Sequence, residues 1–463
     1  MTTDSKTSLP AGGNRETNPP AGGNHLSRDD PLAGGGRPFK LGFLTHVFSR
    51  EEPAELLRRL VELFVAAEEL GFDGGWIAQH HFSPQYGRLP SPLVLLAAAA
   101  QATRRIELGT AVVVLPLENP IRVAEDAAVV DALSGGRLQL GLGTGAANSP
   151  AFAAFGRDAG ARRELFTQAV GLLRDLLRGG DVPGTDGLRL QPPAPTLAGR
   201  LWDSTSSAEG ATAAARVGDG LLLGVGPAGS AQRPLAETYL RAYAAARSGA
   251  TARPDGTAFP AGTAHPADGP GGDGRSVGTV RSGTAARSAT DSPSATDGPS
   301  STDGPSSAVG RSRAAARSLC PDGYPAARLA VAHGVFPGPD RLAAQRDLAA
   351  GIARYRPYLS HFGLPDTADD AAALDAMNVH HGPVDVIVES LATNPVGPGF
   401  TSYFIAAVQG EAGGAASFDA TLRRLEIIST EIAPALGWRP ATATPGTAPT
   451  PGPGRHRRPA EHP

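Results

Sequence analysis

The stretch IELGTAVVVLPLENPIRVAEDAAVVDALSGGRLQLGLG, residues 106–143, indicates the fold of this chain. It holds two apolar strand candidates, 106–114 and 137–143, and helix patterns lie between the strand candidates throughout the chain. The other strand candidates are short apolar runs bounded by Gly, Pro and polar residues: 40–48, 74–79, 200–206, 220–224, 327–335 and 401–409. Eight strands alternating with helices predict a parallel sheet, and eight such units favour a TIM (β/α)8 barrel over an open doubly wound sheet.

Three segments have a different composition. These segments, residues 1–37, 248–325 and 440–463, are rich in Gly, Pro, Ser, Thr and Ala. The middle segment contains the similar short repeats TDSPS and TDGPS. Few apolar side chains there offset the entropy of ordering, so we predict disordered tails and a disordered insertion at a loop tip. The barrel is then expected over 38–439, interrupted by the insertion.

The composition excludes several classes of protein. The chain has 463 residues and a formal net charge of -3, which gives no basic surface for nucleic acid. Cys320 is the single cysteine, so neither an internal disulfide nor a multi-cysteine zinc site can form. The first residues lack the apolar core of a signal peptide, and no apolar run is long enough to span a bilayer. We therefore expect a soluble cytoplasmic protein that does not bind membranes.

Two adjacent histidines, His80 and His81, follow the second strand candidate, at the barrel end where chemistry is found. Adjacent side chains on an extended chain point opposite ways, so one histidine should face the mouth. No H-E-x-x-H motif and no nearby acid at ligand spacing supports a metal site. An inert surface pair is the competing interpretation. A second pair in VHHG, at 380–381, is expected in a polar loop and is less favoured.

Two further motifs suggest contacts with a ligand. Glycines in LGLGTGAANS, residues 140–149, would let the backbone approach a ligand closely, although a flexible rim loop has the same composition. The hydroxyls of DSTSSAEG, residues 203–210, precede a helix whose N-terminus can hold a phosphate. Plain helix capping is an equally good explanation for these hydroxyls.

The segments HHFSPQYG (80–87) and GTAVVVLPLENPIRVAEDAAVVDALSGGRLQLGLGTG (109–145) together resemble the bacterial luciferase-like flavin monooxygenases. The resemblance is nearest to the alkanal monooxygenase branch. It implies a barrel that binds reduced FMN at its mouth and reacts with O2 through a C4a-hydroperoxyflavin to oxidise a small organic substrate. A separate NAD(P)H:flavin reductase would supply the electrons. The resemblance also implies a homodimer.

The same resemblance implies roles for the residues near the histidine pair. His80 would lie near the flavin ring as general base or hydroperoxide stabiliser, with His81 as a second catalytic candidate. Ala111 and Val112 match a position where the family has a non-proline cis peptide beside the flavin ring. Gln79 stands where enzymes of the aldehyde branch often have an acid.

Other matching positions are assigned to the cofactor phosphate or are left open. Ser206 and Ser207 match the phosphate-contact region. Thr144, beside Gly145 in the glycine-rich loop, stands where luciferase has a phosphate-binding arginine. Four further residues match the family pattern and are equally consistent with scaffold and site roles: Asn119, Glu125, Asp126 and Arg137.

Two alternative functions remain at this stage. The first is a coenzyme F420-dependent oxidoreductase on the same barrel, in which the histidine would handle a proton during hydride transfer. The HHF motif favours FMN over F420. The second is a non-catalytic flavin-binding protein on a decayed barrel, which the long insertion and the missing arginine leave open.

Overall fold

The computed structural model describes residues 38–47, 51–82, 87–145, 150–225, 229–250, 327–356, 359–360, 364–408 and 415–441. These residues form a closed barrel of eight parallel strands surrounded by helices, as predicted. The predicted disordered tail 1–37 lies outside the described residues. The same holds for the predicted insertion 248–325 beyond residue 250, and for the predicted tail 440–463 beyond residue 441. The barrel belongs to one unit, Met1–Ala246 with Ser318–Pro463, while the second unit, Arg247–Arg317, contributes only the end of one helix to the description.

The strands are β1 Lys40–Thr45, β2 Gly74–Ile77, β3 Glu107–Thr110, β4 Val113–Val114, β5 Leu138–Gly143, β6 Leu201–Ser204, β7 Gly220–Leu223, β8 Leu329–Pro337, β9 Val379–Gly382 and β10 Tyr403–Ala407. Parallel pairing runs around the barrel in the order β1-β2-β3-β5-β6-β7-β8-β10, and β10 pairs with β1 to close it. Two short strands, β4 and β9, pair with β5 and with the end of β8.

Helices follow the strands and cover the outside of the barrel. They are α1 Pro53–Glu69, α2 Pro92–Ala102, α3 Pro120–Ser134, α4 Pro150–Ala154, α5 Arg162–Leu177, α6 Ala208–Val217, α7 Gly229–Ala250, α8 Arg341–Tyr355, α9 Asp370–Ala376, α10 Val384–Thr393, α11 Ala415–Ile427 and α12 Ala433–Ala435. Among the described residues, no helix is both long enough and apolar enough to cross a membrane.

Local sequence signals explain where these helices begin and end. In α3, the Asn119 side chain accepts hydrogen bonds from the Ile121 and Arg122 N–H groups, and Pro120 occupies the first helical position. The helix ends at Gly135, whose φ of 70° is the left-handed conformation that glycine adopts at little cost. Ser91 stands at the N-cap of α2 as expected, but its side chain makes no capping hydrogen bond.

Three aromatic side chains fill the part of the barrel interior nearer the amino ends of the strands. Trp76, Trp202 and Tyr403 pack edge to face, with ring centroids 5.5 to 6.1 Å apart. Glycines on neighbouring strands leave room for them: a Cβ at Gly109 would lie 2.3 Å from the Trp76 ring, and one at Gly220 would lie 2.4 Å from Trp202. This packed half, nearer the amino ends of the strands, therefore stabilises the barrel and leaves the carboxyl ends for a site.

Two strand predictions need correction. The predicted strand 106–114 is divided into β3 and β4 around a cis peptide bond between Ala111 and Val112. The prediction that VHHG lies in a polar loop is wrong, because these residues form the buried strand β9. Burial is tolerated there because the His380 ring nitrogens lie 2.8 Å from Ser390 Oγ and 3.2 Å from His333 Nδ1.

Candidate active site at the mouth of the barrel

The mouth above the aromatic layer is lined by small residues. Alternation along the strands from Trp76, Trp202 and the other interior residues places Ala78, Ala111, Gly143, Ser204, Gly224 and Ala407 on the inward side. A Cβ built on Gly224 meets nothing within 4 Å, so the end of β7 borders open space. Small residues at these positions leave room for a ligand at the carboxyl ends of the strands.

His80 follows Ala78 by two residues and so continues the inward-facing positions at the end of β2. Its ring is half-buried and lies 5.6 Å from the ring of His46, which continues the inward-facing positions of β1. Its Nε2 atom is buried and has no hydrogen-bond partner among the described residues. Burial, with a smaller contribution from His81, lowers the pKa of His80 to about 4. The imidazole is therefore neutral near pH 7 and can exchange a hydrogen bond or a proton with a bound molecule.

The backbone passes close to the His80 ring at Gly87. Gly87 has a φ of 150°, and a Cβ there would lie 2.5 Å from His80 Cδ2 and 2.2 Å from the His46 carbonyl oxygen. The His80 N–H donates to Leu89 O at 2.9 Å. The chain after β2 therefore folds back against the histidine, and only glycine fits at the point of closest approach.

His81 lies in a different environment. Its ring packs edge to face against Phe155 at 5.0 Å and lies 5.9 Å from Phe82. Burial lowers the pKa of His81, while the charge of Glu118 acts in the opposite direction. Within the described part of the chain its Nε2 atom also lacks a hydrogen-bond partner. The histidine pair thus presents two neutral imidazoles, one beside the mouth and one packed against Phe82 and Phe155.

The residues assigned to the cofactor ring and phosphate come from neighbouring strands. Ala111 and Val112 are joined by the cis peptide that the resemblance implies, and both are partly buried beside the barrel interior. Gly143 of β5 is opposite Ser204 of β6, so the segments after these two strands start side by side. Thr144 directly follows β5 and is partly buried.

The segment after β6 leads directly into α6. The Ser207 hydroxyl accepts a hydrogen bond from the Gly210 N–H at 3.1 Å and therefore acts as the helix cap. Ser206 is exposed, and the Ala208 and Glu209 N–H groups have no partner in the described residues. The first turn of α6 thus keeps two donors that a phosphate can use. Gly145, after β5, has a φ of 73° that favours glycine.

The four residues left open by the sequence make scaffold contacts. Asn119 caps α3, and Glu125 and Asp126 pair with Arg122 on its exposed face. Arg137 donates to backbone carbonyls of Ala100, Thr103, Ser134 and Ile106 at the opposite, amino end of β5. None of these contacts involves the mouth.

Sequence reasoning missed several residues of the mouth. Strand alternation from Leu44 would have placed His46 beside the histidine pair, and the open position of Gly224 follows from alternation in β7. No sequence motif indicated that Glu118 lies near the mouth, because its place in the structure depends on the turn Leu115–Leu117 that follows β4.

The fold and the mouth define a (β/α)8 barrel with its site at the carboxyl ends of the strands. The family model described as luciferase-like monooxygenase matches residues 39–267, and this part of the chain belongs to that family. The match contains the histidine pair, the Ala111–Val112 bond and the start of α6.

Relatives and solved structures extend this finding. The chain is 38% identical over 122 residues to the alkanal monooxygenase alpha chain of the Kryptophanaron alfredi symbiont, covering 26% of this chain and 34% of that protein. Alignments with the curated relatives span between 25% and 43% of their length.

Two solved structures share the fold. One is the oxygenating constituent of 3,6-diketocamphane monooxygenase from Pseudomonas putida in complex with FMN, with a TM-score of 0.57, 15% identity and coverage of 86% of this chain and 98% of that chain. The other is an F420-dependent secondary alcohol dehydrogenase in complex with an F420–acetone adduct, with a TM-score of 0.52, 15% identity and coverage of 86% and 99%.

Proposed function

We propose that this protein is a flavin-dependent monooxygenase that uses reduced FMN and O2 to oxidise a small organic substrate. The observation that carries the proposal is the buried, unpartnered Nε2 atom of His80 at the edge of a mouth lined by small residues. A flat, apolar ring system fits such a lining, and a hydrogen-bonding edge of that ring could meet His80. The similarity to alkanal monooxygenase over the same segment supports this proposal.

The chain supplies binding, orientation and proton transfer, while the flavin, when bound, supplies the oxygen chemistry. The open position at Gly224 leaves space for the ring. The free N–H groups at the start of α6, beside Ser206, would bind the phosphate. His80, neutral near pH 7, would accept a hydrogen bond or a proton at Nε2. His81, which packs against Phe82 and Phe155, would be the second such group.

Loading and turnover test this proposal in that order. The purified full chain is titrated with FMN, reduced FMN and F420, and binding is followed by cofactor fluorescence. A separate NAD(P)H:flavin reductase then supplies reduced FMN, and oxygen consumption is measured with a panel of aldehydes, sulfonates and amines. The proposal expects FMN binding and substrate-dependent oxygen consumption beyond the reductase blank. A folded chain that binds neither cofactor would refute it.

A second candidate is a coenzyme F420-dependent oxidoreductase. The barrel is shared with an F420-dependent secondary alcohol dehydrogenase as well as with an FMN-binding monooxygenase, so the fold accommodates either cofactor. In that case His80 would exchange a proton beside the hydride-transfer position. Selective binding of F420 over FMN in the same titration would establish this function. Binding of FMN without any turnover would instead identify a flavin-binding protein without catalysis.

The assembly and location are also part of the proposal. We infer a homodimer in the cytoplasm, with a free reductase as the electron-donating partner. Light scattering coupled to gel filtration measures the assembly directly. A monomer at micromolar concentration would contradict the dimer and would leave the barrel site unaffected.

A further inference from the structure

Gln79, the residue before His80, uses both ends of its buried amide. Its Nε2 donates to Pro90 O at 3.0 Å and to Glu118 Oε1 at 2.6 Å. Its Oε1 accepts the Val114 N–H at 2.6 Å. Pro90 O can only accept and the Val114 N–H can only donate, so these partners determine the orientation of the amide. No charged or apolar side chain of similar size satisfies all three partners.

Main-chain hydrogen bonds tie the same dipeptide to the same segments. The Gln79 N–H donates to Val112 O at 3.3 Å, and the His80 N–H donates to Leu89 O at 2.9 Å. Segment 112–118, which follows β3, and segment 89–90, which precedes α2, are therefore both joined to the end of β2. The backbone that carries His80 is held from two sides at this junction.

The partner of the amide is a charged residue near the second histidine. Glu118 is half-buried, and its charge raises the pKa of His81 against the lowering caused by burial. The other rings that contact His81 belong to Phe82 and Phe155. The Glu118 carboxylate, which the Gln79 amide contacts, therefore favours the protonated form of His81.

An acid at position 79 would not serve in this arrangement. This chain has the neutral Gln79 at that position and brings its carboxylate from Glu118. Two carboxylates at hydrogen-bond distance cannot both be ionised, and an ionised carboxylate cannot donate to Pro90 O. The glutamine and the glutamate therefore form a matched pair.

We propose that Gln79 is a positioning residue, which holds the Glu118 carboxylate in one orientation and fixes segment 112–118 against the strand end that carries His80. Its role is to orient groups of the mouth and not to react. The flavin-binding readout below rests on the proposed function, whereas the histidine titration does not.

Five variants of the full chain separate this role from a general effect on stability. Gln79→Leu removes the amide, Glu118→Gln removes the charge, and the swap Gln79→Glu/Glu118→Gln again sets one amide against one carboxylate. The matched control is Gln101→Leu, because Gln101 is exposed on α2 and, in the part of the chain that the structure describes, its side chain donates only to Leu133 O, at 3.4 Å. Gln79→Glu alone is measured beside the swap.

The readouts are the titration midpoint of His81 and the affinity for FMN. The midpoint is followed by NMR of 15N-histidine-labelled protein without flavin, with the resonance assigned by its loss in His81→Gln. Glu118→Gln and Gln79→Leu should both lower the midpoint, because the carboxylate is removed or released. Gln79→Leu should also weaken FMN binding by about tenfold to a hundredfold, as expected for displaced site groups. The swap should bind FMN more tightly than Gln79→Glu alone, because one amide again faces one carboxylate, but it should recover only part of the wild-type affinity, because Pro90 O keeps no donor. Gln101→Leu should change neither quantity.

The proposal is overturned if folded Gln79→Leu keeps both the wild-type His81 midpoint and the wild-type FMN affinity. It is equally overturned if the swap binds FMN no better than Gln79→Glu alone, a comparison that remains available should Gln79→Leu not fold. If the wild-type chain binds neither FMN nor F420, the proposed function fails. The His81 midpoints then still decide whether Gln79 positions Glu118.

Discussion

Lowering the pH from 7.5 to 5.0 is expected to destabilise the folded chain strongly, because buried histidines are held neutral. Burial lowers the pKa of His80 and of His333 to about 4 and that of His380 to about 3, from an ordinary value of 6.5. The folded pKa lies below the unfolded one, so the unfolded chain binds more protons. Stability is therefore fully present above the unfolded value and is lost as the pH falls toward the folded value.

The magnitude follows from these values. At pH 5, protonation stabilises an unfolded histidine by about 2 kcal/mol and leaves a folded one with a pKa near 4 almost unaffected. His80 therefore accounts for a loss of about 2 kcal/mol on this basis. His333 and His380 lie 3.2 Å apart through their ring nitrogens and titrate as a pair, which adds about 2 to 4 kcal/mol. The sum approaches the stability of a typical domain, about 5 to 15 kcal/mol.

Urea unfolding at pH 7.5, 6.0 and 5.0 measures this loss. Fluorescence of the buried Trp76, Trp202 and Trp438 reports the transition. His380→Gln keeps a donor and an acceptor toward its neighbours and cannot be protonated, so its free energy of unfolding should fall less steeply with pH. Glu209→Gln, at an exposed position of α6, is the control. A wild-type change below about 1 kcal/mol between pH 7.5 and 5.0, or an unaltered slope in His380→Gln, would refute the reasoning.

Three further substitutions test the mouth and its support. Gly224→Leu places a side chain in the open space at the end of β7, so FMN affinity should fall at least tenfold while circular dichroism stays unchanged. His80→Ala should keep the fold and impair turnover with reduced flavin; unchanged turnover would remove His80 from the mechanism. Arg174→Leu leaves the buried Asp219 without its ion-pair partner and should cost about 3–5 kcal/mol in urea unfolding, part of which Arg174→Leu/Asp219→Leu should recover.

The barrel could be predicted from the sequence because its signal is distributed over the whole chain. Each of the eight barrel strands lies within or beside a predicted apolar run, for example β2 at Gly74–Ile77 within 74–79 and β7 at Gly220–Leu223 within 220–224. Runs of this kind are buried on both faces in a parallel sheet, so they remain visible without any knowledge of pairing. Alternation with helices then restricts the topology to few candidates.

The candidate site was predictable only where a local motif carries it. His80 and the cap at Ser207 follow from their position after a strand and before a helix. The network around Gln79 does not, since Pro90, Val114 and Glu118 come from segments whose proximity exists only after the barrel closes. The burial of His380 escaped prediction for the same reason: its partners His333 and Ser390 lie on two other elements.

Along the strands, one half of the barrel interior is packed with aromatic side chains and the other half forms the mouth. Large aromatic side chains fill the half of the interior nearer the amino ends of the strands. Their packing depends on strand glycines: a Cβ at Gly109 would lie 2.3 Å from the Trp76 ring, and one at Gly220 would lie 2.4 Å from the Trp202 ring. Small residues occupy the same inward face at the carboxyl half, where Gly224 borders open space. Inward-facing positions recur at every second residue, so Gly220 at the start of β7 and Gly224 directly after its end both face inward. Gly220 makes room for an aromatic ring, whereas Gly224 leaves space at the mouth. A substitution at Gly220 should therefore unfold the barrel, whereas one at Gly224 should only close its mouth.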